Sequence, residues 1–195
     1  RLFAGTLRDN LTLFGKRDEW PDAALHRALE LANLSQDVAQ WPGGLDTEIG
    51  ERGLNLSGGQ KQRLSLARAA LHPADVILLD DPFSALDVGT EARVADELVF
   101  GQWRANLRIC VTHRLAQLER FDRILFLDAD GSSQFGTLAE LLAGSTRFAN
   151  FLRTHEMDFC GAIACATLSA KALEECTARE ERECAAKKAA RGNPG

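Results

Sequence analysis

The first regular pattern in the chain is helical. Leu25, Ala28, Leu29 and Ala32 recur on one face of a segment that opens at Pro21-Asp22, with Asp22 placed to cap it. A shorter helix is predicted from Ser35, and Pro42-Gly43-Gly44 breaks it. Thr47 to Leu56 reads as a loop hinged at Gly50 and Gly53. Ser57-Gly58-Gly59-Gln60 has the Ser-x-x-Gln spacing of a capping box. Leu64, Ala67 and Leu71 follow at helical spacing, and His72-Pro73 ends the run. Val76 to Leu79 is continuously apolar and stops at Asp80-Asp81-Pro82, the mark of a buried parallel strand. Thr90 to Phe100 suits a helix, and Leu107 to Val111 and Arg123 to Leu127 suit strands, with Asp130-Gly131 turning the chain. Thr137-Leu138-Ala139-Glu140 is a second capping box, and Ser145 to His155 a last helix with Phe148, Phe151 and Leu152 on one face. Arg1 to Phe14 shows no period, so no element is predicted there. Strands alternating with helices predict an α/β domain with a mainly parallel sheet.

Composition narrows the class. With 45% hydrophobic and 26% charged residues, the 195-residue chain is ordinary for a globular domain. A net charge of −5 excludes a protein that coats nucleic acid through a basic surface, and no nucleic-acid partner is expected. No apolar run approaches the ~18 residues of a membrane span. Arg1-Leu2-Phe3 has neither an initiator Met nor a signal peptide, so the chain reads as a piece of a longer one. Only Cys110 lies in the first 159 residues; Cys160, Cys165, Cys176 and Cys184 lie in the tail without Cys-x-x-Cys spacing, so neither zinc nor a disulfide framework is expected. From Lys171 to Arg191 the chain is rich in Ala, Glu, Lys and Arg, which suits a solvated helical or disordered extension.

Three places carry candidate chemistry. At Ser57-Gly58-Gly59-Gln60, two glycines open a helix whose first N–H groups and dipole favour an anion, with the Ser57 hydroxyl as a further donor. Alone, it fits a plain helix cap equally well. Asp80 and Asp81 end an apolar strand, where open α/β sheets bind ligands. One carboxylate can hold Mg²⁺ and the next orient a water; a solvated turn before Pro82 is the simpler alternative. His113 follows a second apolar strand. If the two strands are parallel, it emerges on the same edge as Asp81 and can donate to a phosphate; a structural His is the alternative.

Taken together these segments resemble the ATP-binding cassette (ABC) family. Leu56 to Arg63 reads as its signature motif, Val76 to Asp80 as Walker B, Ser84-Ala85-Leu86-Asp87 as the D-loop, and Val111-Thr112-His113 as the switch-histidine segment. The order and spacing also match, over about residues 1–155. Leu2 to Asn10 looks like the stretch after the Q-loop of exporters, and Thr47 to Gly53 like the exporter segment that touches the membrane domains. Leu79 to Asp87, with Asp81 where most exporter domains carry Glu, is similar to the first nucleotide-binding domain of subfamily C, the multidrug-resistance-associated transporters; Phe148 to Arg153 also fits. No Gly-x-x-x-x-Gly-Lys-Ser/Thr occurs, so the Walker A phosphate loop is not in this sequence.

The resemblance implies the C-terminal part of a P-loop NTPase (RecA-like) core with a helical signature subdomain. Residues 1–73 would form the signature part, 74–158 the core part, and 159–195 a tail of unknown role. It implies a head-to-tail dimer with a second nucleotide-binding domain, attached to transmembrane domains at the cytoplasmic face of a membrane and binding ATP and Mg²⁺. Asp80 would hold Mg²⁺; Asp81 and His113 would act in catalysis at this domain's own site. Ser57, Gly58, Gly59 and Gln60 would contact the partner's ATP phosphates, with Asp87 in the D-loop. The function implied is ATP hydrolysis coupled to export, with the chain alone inactive for want of Walker A. A non-transport cassette ATPase and a non-enzymatic truncated remnant are the alternatives.

Overall fold

The opening segment, for which the apolar pattern predicts nothing, folds around a cap. In this computed structural model, which describes residues 2–15, 19–50 and 55–156, strand β1 (Gly5–Thr6) leads into helix α1 (Leu7–Thr12). Thr6 Oγ1 accepts from the Asp9 N–H at 3.0 Å, and Asp9 Oδ2 accepts from the Thr6 N–H at 3.0 Å. Six residues are too few to display a helical period, so local hydrogen bonding defines this helix.

Helix α2 (Asp22–Leu31) starts at its predicted place but not with its predicted cap. Pro21 holds the cap position without a side-chain bond, and Asp22 instead pairs with Arg8 at 2.6 Å. Arg8 also reaches Asp46 at 3.3 Å, which joins α1 to the turn Gly44–Asp46. Helix α3 (Ser35–Ala39) follows α2, and β2 (Glu48–Ile49) pairs antiparallel with β1. Helix α4 (Gly58–Leu71) has the predicted Ser57–Gln60 capping box. Leu25, Ala28 and Leu29 of α2 share one core with Leu64, Ala67 and Leu71 of α4.

Strands β3 (Val76–Asp80) and β4 (Leu107–Val111) are the predicted parallel neighbours, in register from Val76↔Leu107 to Asp80↔Val111. The crossover runs through α5 (Val88–Val94), which begins two residues before the predicted Thr90 because Asp87 caps it. Ala95–Gln102 then widens into a π-helical stretch, closed by the Trp103 N–H donating to the Leu98 carbonyl at 3.0 Å.

The chain divides into two compact units, Arg1–Arg114 and Leu115–Gly195. In the second, β5 (Ile124–Leu127) and β6 (Ser133–Gly136) form an antiparallel hairpin. Gly131 in its turn has φ +83°, a left-handed conformation that suits glycine. Only β5 is predicted by the apolar pattern; Ser133-Gln134-Phe135-Gly136 is too polar to read as a strand. Helices α6 (Leu138–Gly144) and α7 (Thr146–Glu156) cover one face of the hairpin, with Ile124, Leu141, Phe148 and Leu152 buried together. Phe126 packs edge-on to Phe148, ring centroids 5.3 Å apart.

Two expectations need correction. Among the described residues the strands form no mainly parallel sheet: only β3–β4 is parallel, while β1–β2 and β5–β6 are separate antiparallel pairs. The continuous run Val76 to Leu79 predicts a strand buried on both faces. Ile77 and Leu79 are buried, but Val76 and Leu78 are exposed, Leu78 by 73%. The register sets them beside exposed Leu107 and Ile109. The run encodes two apolar faces, and the described residues cover one. The hinge at Gly53 and the expectations for residues 159–195, including the four tail cysteines and zinc, lie outside the described residues.

Candidate functional site

The edge where β3 and β4 end collects the acidic pair and the histidine. Because Asp80 is in register with Val111, the two strands stop at one level; Asp81 and His113 leave the sheet on the same edge. The Asp81 N–H still donates to the Val111 carbonyl at 2.7 Å, one bond past the ladder. There the backbone turns sharply, and Asp81 takes φ +43°, rare outside glycine but better tolerated by Asp than by most residues. Asp80 and His113 are exposed. Asp81 is half-buried, and its Oδ1 atom is buried without a hydrogen-bond partner among the described residues. A buried, unpaired carboxylate oxygen is costly unless a donor or cation reaches it. The Asp81 charge is felt by Cys110: burial first, then this carboxylate, pushes the thiol up to about 11.

The N-terminus of α4 is a second locus. The Ser57 Oγ accepts from the Gln60 N–H at 3.2 Å, and the Gln60 Oε1 accepts from the Ser57 N–H at 2.9 Å. The hydroxyl proton of Ser57 stays available as a donor. The N–H groups of Gly58 and Gly59, at the first helical positions, have no intrahelical acceptor. Ser57 and Gly58 are exposed. Gln60 differs: its carboxamide is committed at both ends, since Nε2 donates to Asp37 Oδ1 at 2.8 Å. Asp37 on α3 also pairs with Arg63 at 2.8 Å, and Arg63 donates to the Asn33 carbonyl. Sequence reasoning missed Asp37, because a lone Asp in a short helix carries no signal until its partners on α4 are seen.

The segment between Asp81 and α5 joins these loci. Asp87 caps α5, its Oδ1 accepting from the Thr90 N–H at 3.0 Å, and that bond lowers the Asp87 carboxyl below its ordinary value. Ala85 lies so close to α4 that a Cβ added to Gly59 would come within 2.8 Å of its carbonyl oxygen. Gln62 bonds to the Asp81 carbonyl at 2.7 Å and takes the Ala85 N–H at 3.0 Å. Arg114, just past His113, donates to the Ser84 carbonyl at 3.3 Å and pairs with buried Glu91 at 3.3 Å. Arg114 is a further residue the motif pattern did not single out, and Gln62, though inside the signature segment, was given no role there.

Among the described residues no cluster of three or more His, Cys, Asp or Glu is arranged to hold a metal alone. An exposed carboxylate at Asp80 and the unpaired Asp81 oxygen are hard oxygen donors that fit Mg²⁺, provided phosphate and water supply the remaining ligands. No described helix is long and apolar enough to cross a membrane.

Strand β3 thus ends in an acidic pair on the same edge as His113, which follows the neighbouring strand, and α4 opens with glycine N–H groups free in its first turn. Residues 3–84 match the model of the ABC transporter family, and the chain belongs to that family as part of its ATP-binding domain. It is 45% identical over 150 residues to the mycobactin import ATP-binding/permease protein IrtB of Mycolicibacterium thermoresistibile, covering 77% of this chain and 25% of that protein. It is 40% identical over 154 residues to ABC transporter C family member 7 of Arabidopsis thaliana, covering 78% of this chain and 10% of that protein. P-glycoprotein 14 of Caenorhabditis elegans is 37% identical over 159 residues, covering 80% and 12%. The chain thus spans about a quarter or less of the curated relatives it matches. Relatives of the C family are among them, at identities that the import protein equals or exceeds.

Proposed function

We propose that this chain is the signature-bearing part of an ATPase domain that binds ATP and Mg²⁺ and couples hydrolysis to transport across a membrane. It would work as one half of a head-to-tail pair with a second nucleotide-binding domain, attached to membrane-spanning domains at the cytoplasmic face. Residues 1–73 would serve as the signature part and 74–158 as the core part. The observation that carries the reading is the shared edge: in-register parallel strands deliver Asp80, Asp81 and His113 to one level. Asp80 would hold Mg²⁺, Asp81 would orient the attacking water, and His113 would donate to the terminal phosphate. Ser57 would offer its hydroxyl and Gly58 and Gly59 their N–H groups to the partner's nucleotide, with Gln60 fixing that cap and Asp87 holding the D-loop at the start of α5.

The Walker A loop that cradles phosphate is not in this sequence, so the 195-residue chain alone should bind ATP weakly and hydrolyse none above background. The test is ATP turnover by the intact transporter carrying this sequence, in vesicles, with Asp80→Ala and Ser57→Ala. Each variant should lose about 10- to 100-fold, the worth of a charge-assisted contact. Turnover unchanged in both would overturn the reading. Micromolar ATP binding by the isolated chain in calorimetry would overturn the dependence on an external phosphate loop.

A further inference from the structure

Gln62 lies on α4 within the signature segment Leu56–Arg63, two residues past Gln60, and is half-buried. Its carboxamide bridges two main-chain groups of the following turn. The Nε2 donates to the Asp81 carbonyl at 2.7 Å, and the Oε1 accepts from the Ala85 N–H at 3.0 Å, with the Ser84 hydroxyl 3.4 Å from both. The orientation of the amide follows from its partners, since a carbonyl must meet the NH₂ and an N–H must meet the oxygen. The turn is therefore stitched to the helix as a strand is stitched to its neighbour, with a side chain in the role of a peptide group.

The stitch falls on an unfavourable piece of backbone. Asp81 is left-handed, at φ +43°, and such a residue persists only where its surroundings hold it. Its N–H is held by the Val111 carbonyl and its carbonyl by Gln62, so both ends of the residue are fixed. What projects from that fixed backbone is the carboxylate with the buried, unpaired Oδ1. A second contact reinforces the stitch, because Gly59 admits the Ala85 carbonyl where any side chain would collide.

We infer that Gln62 is a positioning residue that locks the Asp81–Ala85 turn to the signature helix, so that the helix start presented to the partner's nucleotide and the carboxylate facing this domain's own nucleotide move as one body. This rests on the nucleotide reading above, which places Asp81 at one site and Ser57 at the other. A displacement of Ser57–Gly59 by one nucleotide then reaches the Asp81–Ala85 turn through Gln62 and the Gly59–Ala85 contact, without passing through the sheet.

The test uses Gln62→Met, which keeps the length and volume of the side chain and removes both hydrogen bonds. In the 195-residue chain, amide hydrogen exchange at Ala85 should quicken by tenfold or more, while Leu64 and Leu71 within α4 keep their protection and show that the fold is intact. Unchanged exchange at Ala85 would overturn the inference, and this arm decides it whatever the chain's activity. In the intact transporter, Gln62→Met should lower kcat for ATP by about tenfold with KM unchanged, because nucleotide still binds but the water-orienting group wanders. A raised KM with unchanged kcat would overturn the positioning role in favour of direct binding. If the unsubstituted transporter itself turns over no ATP, the nucleotide reading falls, and the exchange result still decides the stitch.

Discussion

Asp81 joins a held, left-handed backbone to a carboxylate with an unpaired buried oxygen. It is a short carboxylate on left-handed backbone, and it reaches less far than Glu by one C–C bond, about 1.5 Å; a misplacement of about 1 Å at a reacting centre is worth roughly 100-fold in rate. Asp81→Glu should therefore raise turnover at the site built on this domain, at a folding cost of about 1 kcal/mol because Glu tolerates φ +43° less well than Asp. Nucleotide trapping at each site separately checks this; unchanged turnover would mean that the short carboxylate does not limit that site. Cys110 offers a measurement on the chain alone. With its thiol pushed from 9.0 to about 11 by burial and by Asp81, the thiolate fraction at pH 8 is about 100-fold lower than for a free thiol. Alkylation of Cys110, mapped by mass spectrometry against the tail cysteines, should be slow at pH 8 and quicken about tenfold per pH unit up to pH 11. The native state holds this proton more tightly than the unfolded chain, so its share of stability is full below pH 9 and is lost as pH rises through 11. Asp81→Ala should bring the alkylation profile to lower pH.

Helix α4 shows what a capped element can hold. Its start is braced by Asp37, whose two oxygens take Gln60 and Arg63. Asp37→Ala removes both charge-assisted bonds from a partly buried place and should cost about 1.5–3 kcal/mol, read as a lower urea midpoint with unchanged slope. Gly59→Ala should destabilise by about 1–3 kcal/mol, since its Cβ would meet backbone, which yields less readily than a side chain. A stability unchanged by Gly59→Ala would mean that Ala85 does not pack as described. The start of α4 was readable beforehand because Ser-x-x-Gln is a local signal, as was Thr137-x-x-Glu140. The parallel pairing of β3 and β4 was readable because each is a short apolar run ended by polar residues. Helix α1 and strand β6 were not, one being too short for a period and the other too polar. The roles of Asp37, Arg114 and, within the signature, Gln62 were invisible for a different reason: each acts on groups 19 to 30 positions away in sequence, and spacing within a motif says nothing of contacts across it.

At the scale of the whole chain, two sheets each bury one apolar face and expose another: Val76, Leu78, Leu107, Ile109 and Val111 in the first unit, Leu125, Leu127 and Phe135 in the second. Parallel sheets are ordinarily covered on both faces. The isolated chain should therefore bind an apolar dye and self-associate, and Leu78→Lys should lower light scattering without lowering the urea midpoint. Ile77→Ala, on the covered face, should cost about 2–5 kcal/mol. Equal effects of the two substitutions on the midpoint would contradict the one-sided burial. The long crossover between β3 and β4 has a consequence on the ribosome. Val76–Asp80 is made about thirty residues before its partner strand is complete, a delay of about 2–6 s at ordinary rates of synthesis. Gln62 reaches the turn from Asp81 to Ala85 over a shorter separation, because only some twenty residues lie between it and these partners. The contact between signature helix and acidic turn thus closes the shorter loop, and β4, made last, completes the hold on Asp81 through the Val111 carbonyl.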